Sequence, residues 1–323
     1  MRLITRDDII DTYVKLNQRG ISFISSKFNI NAIKRAKTAF NHSNIESSNW
    51  WIIPKIKKRW NYMVTGDENN DFVDYTVLNY LQNIHNIKML SLGSGSCTNE
   101  LKFASYKNFE LITCSDISDI PLDRAKEIAA ENKLKNIEFI VQNTNTFKFP
   151  ESYYDLVYFR ASLHHFKNID DLLSNSIKQS LKKNGFLIID EYVGPNRLQF
   201  PKHQIQAINQ ALKLIPKKYR KRYKLNFYKN TVSGSGVIRM RIADPSECVE
   251  SANILPTIHT NYRTIFEADY GGNILMTALK DISHNFIDLT KEKEKVLDKL
   301  FVFEDDYLKT HPSDFVFGIY QKL

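Results

Sequence analysis

Short apolar runs alternate with amphipathic segments through the middle of the chain. A continuous apolar run is typical of a strand that is buried on both faces of a parallel sheet. We predict such strands at Met89 to Leu92, Leu111 to Ser115, Ile137 to Val141, Asp155 to Phe159 and Phe186 to Asp190. Helices are predicted between strands, including Pro121 to Lys133 and Asp170 to Lys183, the latter closed by Asn184-Gly185. This alternation predicts an α/β fold with a doubly wound, mostly parallel sheet.

The flanking regions carry longer amphipathic segments. Residues 1–84 are predicted to form a helical cap region, with helices at Asp7 to Leu16, Asn31 to Phe40 and Asp71 to Ile84. Residues 85–198 are the predicted core. Residues 199–261 are predicted to form a substrate lid, with a helix at Lys202 to Leu214, a mobile loop at Val232 to Gly236 and a helix starting at Asp244-Pro245. Residues 262–323 complete the sheet, with a strand at Tyr262 to Tyr270, helices at Ile274 to Ile287 and Lys291 to Lys309, and a last strand at Asp314 to Lys322.

The first apolar run ends in a glycine-rich turn that indicates a nucleotide-like ligand. Gly93-Ser94-Gly95-Ser96 follows Leu92 and leads into a polar helix start at Thr98. Glycines let a ligand approach the backbone closely, and the next helix offers unpaired N–H groups. Asp116 ends the second strand, where an acid can bind both ribose hydroxyls. A dinucleotide site wants a third glycine in the place of Thr98, so this turn favours S-adenosylmethionine over NAD.

Four segments together resemble the motifs of the class I S-adenosylmethionine-dependent methyltransferases, in that family's order and spacing. They are the glycine motif LSLGSGS, Asp116, the adenine-side turn QNTNTF and the fourth-strand motif DLVYFRASLHHF, and the likeness covers Lys88 to Val193. The resemblance implies S-adenosyl-L-methionine as cofactor and a Rossmann-like sheet of seven strands, with the last strand antiparallel between the fifth and sixth. It implies cofactor contacts from Tyr62, Ser91, Gly93, Ser94, Gly95, Asp116, Ile117, Asn143, Thr144 and Arg160.

Three positions depart from the family pattern. The family usually has an acid where Ser91 stands, a third glycine where Cys97 stands and often Asp where Asn143 stands. Two missing carboxylates could weaken cofactor binding, although the Asn143 carbonyl can still accept from the adenine amino group. Tyr62 is predicted to shield the sulfonium of the cofactor through a cation–π contact. The alternative for Tyr62 is plain packing of the lead-in against the core.

Candidate catalytic residues follow the fourth and fifth strands, because ligands of such sheets bind outside the carboxyl ends of the strands. They are His164, His165, Glu191 and Tyr192. Histidine is the natural base near neutral pH, with closure of the cofactor pocket as the alternative role for at least one of the two. Glu191 could equally be a solvated carboxylate, and Tyr192 a packed aromatic.

Candidate substrate-binding residues lie where the chain leaves the fifth strand and in the lid. They are Asn196, Arg197, Arg239 and Arg241. Arg239 and Arg241 are predicted to alternate on an extended stretch, with both side chains on one face. The arginine fork suits a carboxylate or phosphate, which predicts an anionic or polar acceptor. In the alternative, both arginines pair with acids such as Glu247 or Glu250 and fasten the lid.

Composition limits the classes of protein to which the chain can belong. The 323 residues are 42% hydrophobic, enough to bury a large core. Three cysteines without metal-ligand spacing indicate a reducing compartment and no metal site. The N-terminus lacks an apolar signal core, and no apolar run reaches the about 18 residues of a membrane span, so we expect a cytoplasmic chain with no membrane partner.

The net charge of +9 fits either a lysine-rich composition or a polyanionic partner. Three functions stay open: methyl transfer to a small molecule or sugar, most simply at oxygen; RNA modification through the basic-aromatic stretch Tyr219 to Tyr228; and cofactor binding without catalysis. We favour the first. Nucleic acid ranks lower because no RNA-binding module accompanies that stretch. A homodimer is one option for the assembly.

Overall fold

The computed structural model describes residues 1–14, 16, 48–143 and 149–323. The helix predicted at Asn31 to Phe40 and the candidate cofactor residue Thr144 lie outside the described residues. The helix predicted at Asp7 to Leu16 is present over residues 6–14.

One sheet of seven strands organises the described part of the chain. Its strands are β1 (Ile87–Leu92), β2 (Phe109–Asp116), β3 (Ile137–Val141), β4 (Tyr154–Arg160), β5 (Leu181–Tyr192), β6 (Tyr262–Gly271) and β7 (Phe315–Lys322). The strand order is β3-β2-β1-β4-β5-β7-β6. Strands β1 to β5 pair in parallel, and β7 is antiparallel to both β5 and β6. The doubly wound sheet and the insertion of its last strand are therefore confirmed.

Helices cover both faces of this sheet, and further helices lie at the start of the chain and in residues 199–261. They are α1 (6–14), α2 (Pro54–Thr65), α3 (Phe72–Thr76, continued by a π-helical turn at Val77–Leu81), α4 (Thr98–Ala104), α5 (Asp119–Glu131), α6 (Ile169–Asp171, continued by Leu172–Ile177 and Lys178–Ser180), α7 (Lys202–Leu214), α8 (Val237–Ala243), α9 (Ile254–Asn261), α10 (Leu275–Leu279) and α11 (Lys291–Leu308). The predicted bounds of α7 match the structure at both ends.

Side chains of the strands alternate between two apolar layers. Met89 packs with Phe103 of α4 and Leu122 of α5 on one face. Its neighbour Leu90 packs with Ile177 of α6 on the other face. All are at most 1% exposed, as expected for strands whose apolar runs are unbroken. A third cluster joins α7, α10 and α11 beyond β5.

Two predicted boundaries in the sheet region are wrong. Helix α6 ends at Ser180 and β5 begins at Leu181, so Asn184, with φ of +63°, lies inside the strand and does not close the helix. The helix predicted at Ile274 to Ile287 is interrupted at Asp281. There φ is +67°, and the N–H of Asp281 donates to the carbonyl of Ser48. A left-handed residue ends a helix because its carbonyl no longer points along the axis.

The insertion, residues 199–261, differs from the prediction at its arginines. Arg239 and Arg241 lie on α8 and not on an extended stretch. Residues two apart on a helix do not share a face, so the proposed pair is wrong. Nε of Arg239 lies 2.8 Å from a carboxylate oxygen of Asp8, and Nη2 lies 3.1 Å from one of Asp11. Arg241 is exposed.

The helix predicted to start at Asp244-Pro245 is also absent, and α9 begins only at Ile254. Residues 244–250 instead form turns, with Cys248 at a φ of +46°. The side chain of Arg197 donates to the carbonyls of Pro245 and Glu247 at 2.8 and 3.0 Å. The left-handed conformation of Cys248 interrupts a helix, and the guanidinium of Arg197 holds the turn that replaces it.

The loop Val232 to Gly236, predicted to be mobile, is held by the first helix. A carboxylate oxygen of Asp7 accepts from the N–H groups of Ser233 and Gly234 at 2.8 and 3.0 Å. Asp8 accepts from the N–H of Gly236 at 2.8 Å. The start of the chain thus fastens the insertion.

Candidate active site

The glycine turn after β1 makes the first wall of the site. Gly93 and Gly95 have φ values of +67° and +53°, which favour glycine. The N–H of Gly93 donates to the carbonyl of Ser115 at 2.8 Å. A Cβ on Gly93 would lie 2.8 Å from Cβ of Ser162, whereas one on Gly95 would meet no atom within 4 Å. The space beside Gly95 is therefore open to a ligand, and Ser94 lies between the two glycines.

Asp116, at the end of β2, is tied to this turn. Its carboxylate accepts from the N–H of Gly95 and of Ser118, both at 2.8 Å. Burial raises the pKa of Asp116, and these two hydrogen bonds oppose the rise. Ile117 follows directly, and Asn143 lies just beyond β3; both are half-buried. The predicted cofactor residues of β1 to β3 therefore share one edge of the sheet.

A buried acid that sequence reasoning missed lies under the turn. Glu100 of α4 is 3% exposed and accepts from the hydroxyl of Ser91 at 2.6 Å. Burial raises the pKa of Glu100, partly offset by that hydrogen bond. The carboxylate that the family places at the position of Ser91 is absent from the strand, but Glu100 brings one beside it. Cys97, the other departure in this turn, is buried at a φ of +52°.

The ends of β4 and β5 carry a second group of charges. Nε of Arg160 lies 3.4 Å from a carboxylate oxygen of Asp190, and the hydroxyl of Tyr270 donates to the other oxygen at 2.6 Å. Burial raises the pKa of Asp190, and Arg160 opposes the rise. Asp190 was not among the predicted site residues, although it ends a predicted strand.

His164 and Glu191 form a buried pair at the same edge. One oxygen of Glu191 accepts from the backbone N–H groups of Ser162 and Leu163 at 2.5 and 2.6 Å. The other oxygen lies 2.7 Å from Nδ1 of His164. Burial alone would lower the pKa of His164, but the carboxylates of Glu191, Glu247 and Asp244 together raise it above its usual value. Glu191 is fully buried, so the solvated alternative for it is wrong.

The insertion brings a further acid to this pair. Nε2 of His164 and Nε2 of His165 each lie 4.0 Å from a carboxylate oxygen of Glu247. Nδ1 of His165 lies 3.2 Å from the hydroxyl oxygen of Ser246. Burial and the neighbouring His164 lower the pKa of His165. Sequence reasoning placed Glu247 in the lid but not at the site.

The remaining acceptor-side candidates hold the chain itself. The hydroxyl of Tyr192 donates to the carbonyl of Pro195 at 3.1 Å, and its ring is 2% exposed. The side-chain oxygen of Asn196 accepts from the N–H of Ala252 at 2.9 Å. With the contacts of Arg197 described above, these residues fasten the insertion to the end of β5. Their predicted roles toward substrate stay predictions.

Tyr62, the candidate for shielding the sulfonium, is 64% exposed on α2. Trp60 of the same helix does contact the strand edge, and its ring centroid lies 5.8 Å from that of Tyr270. Trp60 also packs edge-on against Trp50 at 4.6 Å. The packing alternative describes Trp60 well, while the role of Tyr62 stays a prediction.

Three features together define a class I S-adenosylmethionine-dependent methyltransferase. They are a glycine turn after β1, an acid at the end of β2 and a parallel sheet completed by an antiparallel β7. The chain belongs to the methyltransferase-domain family, whose model matches residues 84–270. It is an enzyme of that class, and S-adenosylmethionine is its cofactor. The open space beside Gly95 and the carboxylate of Asp116 suit the cofactor, and the non-catalytic alternative is set aside.

Solved structures with a similar fold share little sequence with the chain. The [4+2]-cyclase SpnF is 13% identical, with a TM-score of 0.49 over 92% of this chain and 97% of that one. Geranyl diphosphate C-methyltransferase from Streptomyces coelicolor A3(2) is 12% identical, with a TM-score of 0.45 over 76% and 74%. A putative sarcosine dimethylglycine methyltransferase from Galdieria sulphuraria is 14% identical, with a TM-score of 0.42 over 74% and 79%.

A search of curated proteins found no match to the chain. Among the described residues, no helix has the length and apolar character needed to span a membrane.

Proposed function

We propose that the chain transfers the methyl group of S-adenosylmethionine to an oxygen of a small-molecule or sugar acceptor. The observation that carries this proposal is the buried pair of His164 and Glu191, which contact at 2.7 Å at the carboxyl ends of β4 and β5. Ligands of doubly wound sheets bind at this edge. The insertion covers the pair from the other side through Glu247.

Methyl transfer from a sulfonium is a direct displacement. The acceptor oxygen forms a bond to the methyl carbon as the carbon–sulfur bond breaks, and the sulfur keeps the bonding electrons. The enzyme must align the two centres and accept the proton that the hydroxyl loses. Glu191 holds Nδ1 of His164, so Nε2 is the ring nitrogen that can take this proton. Asp116 and Glu100 hold the cofactor at its ribose and methionine ends in this proposal.

An anionic acceptor has less support than a neutral one. Arg197 donates to backbone carbonyls, and Arg239 pairs with Asp8 and Asp11. Of the three predicted arginines, Arg241 is the exposed one. A sugar or another polyol fits a site whose donors and acceptors are histidine and carboxylate groups.

RNA modification has less support still, because two cations of the basic stretch contact other residues of the chain. Arg222 lies 2.5 Å from a carboxylate oxygen of Asp281 and is 5% exposed. Lys217 lies over the ring of Tyr228 at 5.4 Å. RNA binding that falls steeply with added salt would revive this alternative.

The test is an acceptor screen that follows formation of S-adenosylhomocysteine, with the methylated atom located by NMR. We expect an O-methyl product. His164→Gln should lower kcat by roughly 100-fold or more while cofactor affinity is kept. His203→Gln, an exposed histidine that stacks with His311, is the matched control and should retain full activity. Methylation at carbon or nitrogen would contradict the proposal.

A further inference from the structure

We propose that His164, His165 and Glu247 form a binding site for one divalent transition-metal ion. Their ligand atoms all lie within 4.8 Å of one another. Nε2 of each histidine lies 4.0 Å from an oxygen of the Glu247 carboxylate. The sequence predicted no metal site: the two histidines are adjacent, but Glu247 is distant in the chain and only the fold brings it beside them.

The distances suit an ion better than direct contact. At 4.0 Å neither imidazole is hydrogen-bonded to the Glu247 carboxylate through Nε2, since such bonds are about 2.7–3.2 Å long. Zinc holds nitrogen and oxygen ligands at about 2.0–2.2 Å, so two of its ligand atoms stand about 3–4 Å apart. Small side-chain rotations therefore bring all three groups onto one ion.

Both imidazoles are already oriented for this role. Glu191 lies 2.7 Å from Nδ1 of His164, which directs Nε2 away from it. The hydroxyl of Ser246 donates to Asp244 at 2.6 Å, so its oxygen is left to accept from Nδ1 of His165 at 3.2 Å. Metal-bound histidines almost always donate their other N–H to a carboxylate, carbonyl or water, as His164 does to Glu191, whereas the partner of His165 is a hydroxyl.

The chemistry of the three ligand groups determines which ions can bind here. Two imidazole nitrogens and one carboxylate oxygen suit zinc or ferrous iron, whereas magnesium prefers oxygen ligands throughout. Three protein ligands leave at least one coordination position for another molecule, as in catalytic zinc sites. The ion would also fasten the insertion to the core, because Glu247 belongs to the insertion and both histidines follow β4.

The metal site adds a step to the proposed function. Its role in catalysis rests on that proposed function, whereas metal binding does not. With an ion bound, Nε2 of His164 is a ligand and no longer takes the proton. The ion would instead lower the pKa of an acceptor hydroxyl that occupies the open position, and the proton of that hydroxyl would pass to solvent water. The methyl group then moves to the bound oxygen by the displacement described above.

The experiment measures zinc binding directly, without cofactor or acceptor. The untagged full chain is stripped with a chelator, dialysed and titrated with zinc by calorimetry, and the bound metal is counted by mass spectrometry. We expect one zinc ion per chain at this site. Glu247→Gln and His165→Gln should each weaken zinc binding by at least roughly 10- to 100-fold. Magnesium at the same concentration should not compete.

Glu250→Gln is the matched control. Glu250 is an acid of the same turn, but it accepts from the backbone N–H groups of Asn168 and Ile169 at 3.2 and 3.0 Å. Its loss should leave zinc affinity unchanged, and melting curves report whether each variant is folded. Zinc affinity that is equal in the wild type and in folded Glu247→Gln overturns the proposal, as does the absence of binding. Because no methyl transfer is measured, either result leaves the proposed function standing.

Discussion

The cofactor half of the strand edge, at β1 and β2, and the acceptor half, at β4, β5 and the insertion, are built from different kinds of contact. In the cofactor half, backbone N–H groups of the glycine turn meet a carboxylate only 21 residues away, as between Gly95 and Asp116. In the acceptor half, side chains meet across long separations, 81 residues between His165 and Ser246. Arg239 and Asp8 are 231 residues apart.

Because of this difference, substitutions in the two halves should change different properties of the protein. A backbone turn tolerates few substitutions. The effects of such substitutions should stay local and should weaken cofactor binding. A set of long-range side-chain contacts depends on how the insertion docks, so its loss should affect stability and acceptor kinetics together.

The largest effect is expected at Gly93. In Gly93→Val the side chain meets Ser162, since even a Cβ would be 2.8 Å away, and the φ of +67° is strained for valine. We expect the free energy of unfolding to fall by more than about 3 kcal/mol, and cofactor binding to become too weak to measure. Gly66→Val is the control: its φ is +79°, but no atom lies within 4 Å of the added Cβ. Equal cofactor affinity in both variants would contradict a special role for the glycine turn.

Arg239→Ala tests the acceptor half. It leaves the carboxylates of Asp8 and Asp11, which are 6% and 7% exposed, without the guanidinium. Removal of one partner of such a buried pair should lower the free energy of unfolding by about 3 kcal/mol, measured by urea denaturation. Arg241→Ala, on the exposed side of α8, should change it by less than about 0.5 kcal/mol. If cofactor affinity falls in Arg239→Ala as well, the halves are coupled.

Asp116→Ala should act on the cofactor half alone. Loss of charge-assisted hydrogen bonds to the ribose should weaken S-adenosylmethionine binding by about 2–3 kcal/mol, or roughly 30- to 150-fold. Calorimetry measures the affinity. Asp123→Ala, an exposed acid of α5 that pairs with Lys126, is the control and should bind normally. An unchanged affinity in Asp116→Ala would remove the ribose assignment.

Asp314 gives a pH-dependent test beside the insertion. Burial raises the pKa of Asp314 to about 7, although Gln204 donates to it at 2.7 Å. The folded protein therefore favours the protonated acid, and the stability that this group contributes is lost as pH rises from about 4 through 7. We expect up to about 2 kcal/mol of this loss between pH 5 and pH 7. Asp314→Asn should flatten that part of the stability profile, and an unchanged slope would contradict the assignment.

The smallest effect is expected for Glu100→Gln. If the buried carboxylate beside Ser91 meets the cationic end of the cofactor, its loss should weaken S-adenosylmethionine binding about tenfold, or about 1.4 kcal/mol. Glutamine keeps an oxygen that can accept from Ser91, so the fold should be retained. Glu110→Gln, an exposed acid of β2 that pairs with Lys88, serves as the control. Equal affinities would make Glu100 a structural residue.

The same difference explains what could be predicted from the sequence. The turn at Gly93 and the acid at Asp116 were predictable because each lies at the end of an apolar run, where periodicity fixes the position of a strand end. Glu100 carried a signal that was missed: it lies three and four residues before the buried Phe103 and Ala104, on the inner face of α4.

The acceptor half offered no such local signal. Glu247 lies in a turn that distant contacts hold beside the histidines, among them that of Arg197, whose φ is +56°. Arg239 and Arg241 were misplaced because a short segment rich in β-branched residues is ambiguous between strand and helix. Contacts between distant segments decide such cases, and one sequence does not contain them.

The position of β7 has a consequence for how the protein folds as it is synthesised. Within the sheet, β7 lies between β5 and β6 and pairs with both. Until Phe315–Lys322 has left the ribosome, β5 is therefore an uncovered edge strand, a place where chains tend to aggregate. Final closure of the sheet must be a late, long-range event, and a chain stopped before this strand should be a target for chaperones rather than a smaller enzyme.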